Sequence, residues 1–149
     1  MGHDCIVGDN VIMANNASLS GHVEVGDHAN FGGYSGVPPF RKIGAYSHIA
    51  AFSLVLKDVP AYMTVAGNPA YAVGLNIEGM KRRSYDSKTR AAIKEAHNIV
   101  YRKGLRLGEA IENIAHLRAK FPEVGVFAKS LEASSVGIIR GRGYSSSDA

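Results

Sequence analysis

Apolar side chains return every six residues along the first part of the chain, from Met1 to Ala61. A small residue follows most of them, and a small or β-branched residue usually stands four places after them. An amphipathic helix would need apolar residues at intervals of three and four, and an ordinary strand would alternate by two. The period instead predicts a parallel β-helix, in which each six-residue unit is a short strand plus a corner and three units complete one turn.

The apolar positions of this predicted coil should point inward, and the small residues should lie where the chain turns tightly or the coil is narrow. A β-sandwich with frequent glycines is the competing interpretation, but it would not keep the apolar positions in one phase over so many repeats. The period leaves the handedness open, although the general rule for parallel crossovers favours a right-handed coil.

The repeat breaks down between Ala61 and Ala70, and the pattern then becomes helical. We predict a β-helix over residues 1–70, a linker and α-helical domain over residues 71–140, and a mobile tail over residues 141–149. The repeat is already in phase at Met1 with no polar cap before it, so we expect the rear part of a longer repeat protein. The helices are predicted from Asp86 or Ser87 to Lys103, from about Gly108 to Lys120, and from Pro122 onward.

The composition of the chain indicates the cellular compartment of the protein but does not indicate its reaction. The single cysteine, Cys5, excludes an intrachain disulfide and a thiolate zinc site. No apolar run approaches the length of a membrane span, and the first residues lack the order of a signal peptide, so we expect a cytoplasmic protein without stable membrane insertion. The net charge is +4, and the excess of basic residues lies in residues 76–149, which suits a phosphorylated ligand, nucleic acid, a membrane surface or an acidic protein.

Residues three repeat units apart should lie above one another on successive turns, about 4.8 Å apart. This places Asp4, His22, Phe40 and Asp58 in one column, with His3 beside it. In a cluster of His3, Asp4 and His22, the carboxylate can hold a neutral histidine in one tautomer, and that histidine can take a proton from a hydroxyl group. A polar surface corner without function is the alternative interpretation.

The other histidines lack such partners in the predicted coil. We therefore interpret them as structural or solvated residues. A zinc site would need three converging histidines, and no third one joins His3 and His22, so no metal is expected. The residues in question are His28, His48, His97 and His116.

A polar and basic segment, residues 76–83, joins the coil to the helices. Arg82 and Arg83 can hold a diphosphate through forked hydrogen bonds, which leaves Asn76 and Glu78 for a base or a sugar. A solvated linker with incidental charge is the alternative. Nucleic-acid binding is not expected, because basic residues alternate with acidic ones along the helices and no aromatic stacking platform accompanies them.

These segments closely resemble the acyl-carrier-protein–UDP-N-acetylglucosamine O-acyltransferases, a family of hexapeptide-repeat transferases. The resemblance implies a homotrimer of left-handed parallel β-helices, each followed by a small α-helical domain. It also implies transfer of a 3-hydroxyacyl group from acyl carrier protein to the 3-hydroxyl of UDP-N-acetylglucosamine, the first step of lipid A biosynthesis, without a cofactor. The matching segments are His3-Asp4-Cys5-x-Val7-Gly8, Ala14-Asn15-Asn16-Ala17-x-Leu19-x-Gly21-His22-Val23, Gly67-Asn68 and Gly74-x-Asn76-Ile77-Glu78-Gly79-x-Lys81-Arg82-Arg83.

By the same resemblance, His3 is the general base, Asp4 orients it, and the backbone N–H of Gly21 stabilises the oxyanion. The family's usual His-Gln pair is replaced here by Pro38-Pro39. Two other functions remain open: a catalytically silent module that oligomerises or binds the carrier protein, and the N-acyltransferase of the same pathway. The residues that match substrate contacts are His22, Asn76, Glu78, Arg82 and Arg83.

Overall fold

A computed structural model of the chain describes residues 1–142. Short strands fill the first part, a hairpin follows, and helices complete the chain. The strands are β1 (Ile6–Val7), β2 (Ile12–Met13), β3 (Ser18–Leu19), β4 (Glu24–Val25), β5 (Asn30–Phe31), β6 (Gly36–Val37), β7 (Lys42–Ile43), β8 (His48–Ile49), β9 (Met63–Gly67) and β10 (Ala70–Leu75). The helices are α1 (Ile77–Arg82), α2 (Ser87–Arg102), α3 (Leu107–Asn113), α4 (Ala115–Lys120) and α5 (Pro122–Glu132).

The short strands form the sides of a β-solenoid of about three turns, as the six-residue period predicts. Strands three units apart pair in parallel, so that Val7 lies beside Val25 and Val25 beside Ile43. The three sides are β1-β4-β7, β2-β5-β8-β9 and β3-β6. Inward residues such as Phe31 and Ile49 are fully buried. The apolar column therefore forms the core that the sequence pattern indicates.

The corners differ in one respect from the prediction. The chain turns at larger residues, because Asp4, His22 and Phe40 have φ of 58°, 60° and 63°. The small residue that follows each inward side chain is needed for close approach, since a Cβ atom on Gly26 would lie 2.5 Å from the amide nitrogen of Ala45 on the next turn. The chain therefore turns at one position of the repeat, and successive turns approach each other closely at another position, which the small residues occupy.

The prediction that Asp58 continues the Asp4 column is wrong, because the last turn is two residues shorter. Val59 pairs with Ile43, and Val65 pairs with Ile49. Asp58 is buried, and its carboxylate accepts hydrogen bonds from the Lys42 amide (2.7 Å) and the Ser134 hydroxyl (2.7 Å). Its role is to join the solenoid to the segment after α5.

The predicted exit from the coil also differs from the structure. Much of residues 61–70 lies in β9, which continues one side of the solenoid before the antiparallel strand β10 turns back. The predicted mobile tail begins inside the described residues, where Gly141 pairs with Ala72. Residues 143–149 of that tail lie outside the described residues.

The first and third predicted helices are confirmed, as α2 and α5. Asp86 caps α2 by accepting a hydrogen bond from the Thr89 amide at 2.8 Å, and Gly104 follows the helix with φ of 68°. The predicted second helix is interrupted at Ile114, which divides it into α3 and α4. Ile114 is fully buried in the helical core.

The helical domain packs over the last turn of the solenoid. The Tyr62 hydroxyl donates to the Glu123 carbonyl at 2.9 Å, and the Ala61 amide donates to the Ser130 hydroxyl at 2.9 Å. Tyr62 and the core residues of the helices form one buried cluster. Within residues 1–142, no helix combines the length and the apolar character needed to cross a bilayer.

Candidate active site

His3, Asp4 and His22 meet on an exposed corner of the first two turns, here called the histidine corner. The Nδ1 atom of His3 lies 2.9 Å from Oδ2 of Asp4, and Nε2 of His22 lies 3.8 Å from the same oxygen. The two imidazole rings are 5.0 Å apart and perpendicular. The column arrangement expected for Asp4 and His22 is therefore present.

The coil itself holds this cluster in place. The His22 amide donates to the His3 carbonyl at 2.9 Å, which ties the two turns together at the corner. The His22 ring stacks on Phe40, one turn further along, with 4.7 Å between ring centroids and 3° between ring planes. The stacking on Phe40 holds the His22 ring in place, whereas the side chain of His3 is 76% exposed.

The hydrogen bond to Asp4 determines which nitrogen of His3 can act as a base. A carboxylate accepts the proton on Nδ1, so the neutral ring carries its lone pair on Nε2. That nitrogen faces Gly21, because a Cβ atom placed on Gly21 would lie 3.0 Å from it. The hydrogen bonds of the described residues leave the Gly21 amide N–H unused. His3 therefore turns its proton acceptor toward Gly21, whose backbone N–H is free among the described residues.

A second group of predicted residues lines a cavity of about 550 Å³, here called the basic pocket. One wall is α1 with the residue before it and the residue after it, and the other wall is the β2-β5-β8-β9 side of the solenoid. The predicted residues on the first wall are Asn76, Glu78, Arg82 and Arg83. The side chains of Glu78, Arg82 and Arg83 are exposed to the solvent in the pocket.

Asn76 attaches α1 to the solenoid. Its Oδ1 atom accepts from the Gly79 amide at 3.1 Å, and its Nδ2 atom donates to the Tyr46 carbonyl at 2.9 Å. A Cβ atom on Gly79 would lie 2.5 Å from Nδ2 of Asn76, so a side chain there would displace the Asn76 amide from its present hydrogen bonds. Asn76 therefore positions the helix that presents the two arginines, in addition to lining the pocket.

The solenoid wall of the pocket contains polar residues that sequence reasoning missed. Asn30, His48 and Thr64 lie side by side on successive turns, each one residue before an inward apolar residue. Asn30 and His48 stand three repeat units apart, and this spacing was the signal that could have placed them on one side of the coil. Burial lowers the pKa of His48, which favours a neutral imidazole near pH 7. His28 also lines the pocket, with its Nδ1 atom buried and unpartnered among the described residues.

The histidine corner and the basic pocket lie on different corners of one chain. His22 belongs to the column of Asp4 and Phe40, whereas His28, one repeat later, stacks on Tyr46 in the next column. The residues lining the pocket do not include those of the histidine corner. One copy of the chain thus carries two separate groups of candidate site residues.

Comparison with known proteins identifies the family. Residues 58–139 match the model of UDP N-acetylglucosamine O-acyltransferase, domain 2. The chain belongs to this acyltransferase family. It is 45% identical over 94% of its length to the acyl-[acyl-carrier-protein]–UDP-N-acetylglucosamine O-acyltransferase of Pseudomonas syringae, and 46% identical to that of Ectopseudomonas mendocina. In both cases the match covers 54% of the relative, so the chain spans about half the length of these members.

Solved structures of the UDP-N-acetylglucosamine O-acyltransferase family have the same fold. The enzyme from Moraxella catarrhalis matches with a TM-score of 0.90 and 42% identity, over 93% of this chain and 54% of that one. The enzyme from Acinetobacter baumannii matches with a TM-score of 0.90 and 47% identity over the same shares. The β-solenoid followed by helices is therefore a known architecture of the family.

Proposed function

We propose that the chain transfers a 3-hydroxyacyl group from acyl carrier protein to the 3-hydroxyl of UDP-N-acetylglucosamine, the first step of lipid A biosynthesis. Membership of the family supports this reaction class. The observation that carries the proposal is the 2.9 Å hydrogen bond from His3 to Asp4, which leaves the Nε2 lone pair facing Gly21.

In the proposed mechanism, Nε2 of His3 takes the proton of the sugar hydroxyl while that oxygen attacks the thioester carbonyl carbon. Asp4 stabilises the imidazolium that forms. The Gly21 N–H donates to the oxyanion of the tetrahedral intermediate, a contribution worth about 2.7–4 kcal/mol where single donors have been removed. The C–S bond then breaks, and the thiolate leaves with the proton from His3.

The basic pocket is the proposed site for the nucleotide. Arg82 and Arg83 are the proposed ligands of the diphosphate, because guanidinium groups form paired, charge-assisted hydrogen bonds with phosphate oxygens. Glu78 is available for hydroxyl groups of the ribose or for the base. Asn76 retains one N–H and one lone pair for the ligand beyond its two bonds to the protein.

We propose that the chain forms a homotrimer, as the resemblance to the family implies, and the separation of the two groups within one chain supports a site shared between copies. In a closed threefold assembly, the histidine corner of one copy can face the basic pocket of the next, which would bring His3 and Arg83 to one substrate. We further propose that the coil is left-handed, as the resemblance to the family implies, and that His22 contacts the substrate beside His3.

The acyl donor is proposed to dock on the basic helices. Lys88, Lys94 and Arg102 of α2 are exposed, and a carrier protein is acidic. Complementary charges of this kind steer association and increase its rate more than they increase affinity.

The test incubates the purified chain with 3-hydroxyacyl carrier protein and UDP-N-acetylglucosamine and measures the acylated nucleotide sugar by mass spectrometry. We expect product, and we expect His3→Ala to lower the rate about 10²- to 10⁴-fold. His116→Ala, an exposed histidine on α4, is the matched control and should keep full activity. A folded trimer that makes no product above background would contradict the proposal and favour a silent oligomerising module.

A further inference from the structure

We propose that the histidine corner binds a divalent transition-metal ion of the Zn²⁺ class, and that the bound ion blocks acyl transfer. The blocking rests on the proposed function, whereas the binding does not. Two imidazoles and a carboxylate suit Zn²⁺ and Co²⁺. The sequence predicted no metal because a third converging histidine is missing, but the Asp4 carboxylate can supply the third ligand.

The distances at the corner are close to those of a metal site. One potential ligand atom from each of His3, Asp4 and His22 lies within 4.8 Å of the others. In a tetrahedral zinc site, bonds of about 2.0–2.1 Å place neighbouring ligand atoms about 3.3 Å apart. The separation of 2.9 Å between His3 and Asp4 and that of 3.8 Å between His22 and Asp4 bracket this value.

The remaining separation, between the two imidazole nitrogens, must contract by up to about 1.5 Å to reach that geometry. The structure allows this movement. The side chain of His3 is 76% exposed, so few contacts oppose a rotation of its ring toward His22. His22 is held against Phe40 and provides the fixed side of the site. Three protein ligands leave the fourth position to water, and the exposed corner gives the ion direct access from solvent.

The position of the ion explains why it would inhibit. The ion would bind Nδ1 of His3 and Oδ2 of Asp4, where the hydrogen bond now lies. A neutral imidazole that gives its Nδ1 lone pair to a metal carries its proton on Nε2. The lone pair that faces Gly21 is then lost, and His3 can no longer accept the proton of the sugar hydroxyl. Inhibition therefore needs no steric obstruction of the site.

The binding test uses the whole chain with Co²⁺ as an optical probe and Zn²⁺ in calorimetric titration. We expect one ion per chain, the visible absorption of four-coordinate Co²⁺, and loss of that absorption when Zn²⁺ is added. Replacement of outer-shell partners alone changes metal affinity about 10- to 100-fold, so Asp4→Asn and His22→Asn should each raise the Kd about tenfold or more. His116→Asn should bind like the unmodified chain, and circular dichroism verifies that each variant is folded.

The activity test adds Zn²⁺ to the transfer assay and then removes it with EDTA. We expect loss of transfer with the same midpoint as binding, and recovery after chelation. Binding without any transfer activity of the metal-free chain would leave the metal site established and contradict only the proposed function. Stoichiometric binding that Asp4→Asn and His22→Asn leave unchanged, or no binding at all, would overturn the metal site. Full transfer with Zn²⁺ bound would overturn the inhibition.

Discussion

The histidine corner and the basic pocket differ in how the fold builds them. The corner uses only the repeat of the coil, since Asp4, His22 and Phe40 follow one another on successive turns. The pocket needs a docked element, α1, which Asn76 fixes to the solenoid through Tyr46. Changes at the corner should therefore affect chemistry alone, whereas some changes at the pocket should also affect folding stability.

The largest effect is expected at the corner, from Asp4→Asn. The amide can no longer hold the His3 tautomer with a carboxylate, so kcat should fall about 10²-fold or more while the free energy of unfolding changes little. Steady-state kinetics and urea denaturation measure the two quantities. Glu24→Gln, an exposed carboxylate 3.7 Å from Lys42, is the matched control. A large loss of stability in Asp4→Asn would contradict the claim that the corner is purely chemical.

At the pocket, Arg83→Ala should act on substrate binding. Loss of one charge-assisted contact to a phosphate group costs about 1.5–3 kcal/mol, which corresponds to an increase in KM of about 10- to 100-fold with kcat little changed. Lys120→Ala removes an exposed positive charge from α4 and serves as the control. An equal effect of both variants would indicate a general influence of charge rather than a diphosphate contact.

Asn76→Ala tests the docked element. The helix loses its cap and its bond to Tyr46, so the free energy of unfolding should fall by about 1–3 kcal/mol, as chemical denaturation can measure. Asn15→Ala, at an exposed position of the coil, should be neutral. An Asn76→Ala variant as stable as the unmodified chain would contradict the claim that the pocket, unlike the corner, depends on an element attached by Asn76.

The smallest expected effect is the pH dependence of stability that His48 contributes in the wall of the basic pocket. Burial lowers the pKa of His48 below its ordinary value of 6.5. Below about pH 6.5, His48 is protonated in the unfolded chain but stays neutral in the folded chain. The free energy of unfolding therefore falls as the pH decreases below about 6.5. His48→Gln should make the decrease between pH 7 and pH 5.5 shallower in thermal or urea denaturation. An unchanged or steeper decrease would contradict the burial of a neutral His48.

The sequence predicts the coil and the histidine corner because both follow from one period. The prediction fails at Asp58, which the period places three units after Phe40. Val55 and Ala61 keep the six-residue phase in the sequence, but in the structure Val59, which is also apolar, takes the inward position beside Ile43. Both Val59 and Ala61 are apolar, so the sequence pattern is the same for a full turn and for a turn that is two residues shorter. The shortening therefore cannot be read from the pattern.

The pocket is predicted only in part. The two arginines are identified from residue type, but α1 is short and contains Gly79, which has low helix propensity, so its propensity gives no helix signal. Its position depends on the hydrogen bonds of Asn76, which are tertiary contacts. The separation of corner and pocket within one chain likewise becomes visible only in three dimensions.

Complementation between two inactive variants tests most directly whether one site combines residues from two copies of the chain. His3→Ala and Arg83→Ala chains are unfolded together in equal amounts, refolded and assayed for transfer. If each site joins the histidine corner of one copy to the basic pocket of another, random assembly should restore activity to about a quarter of that of the unmodified chain. Activity no higher than that of the two variants refolded separately would contradict a site shared between copies.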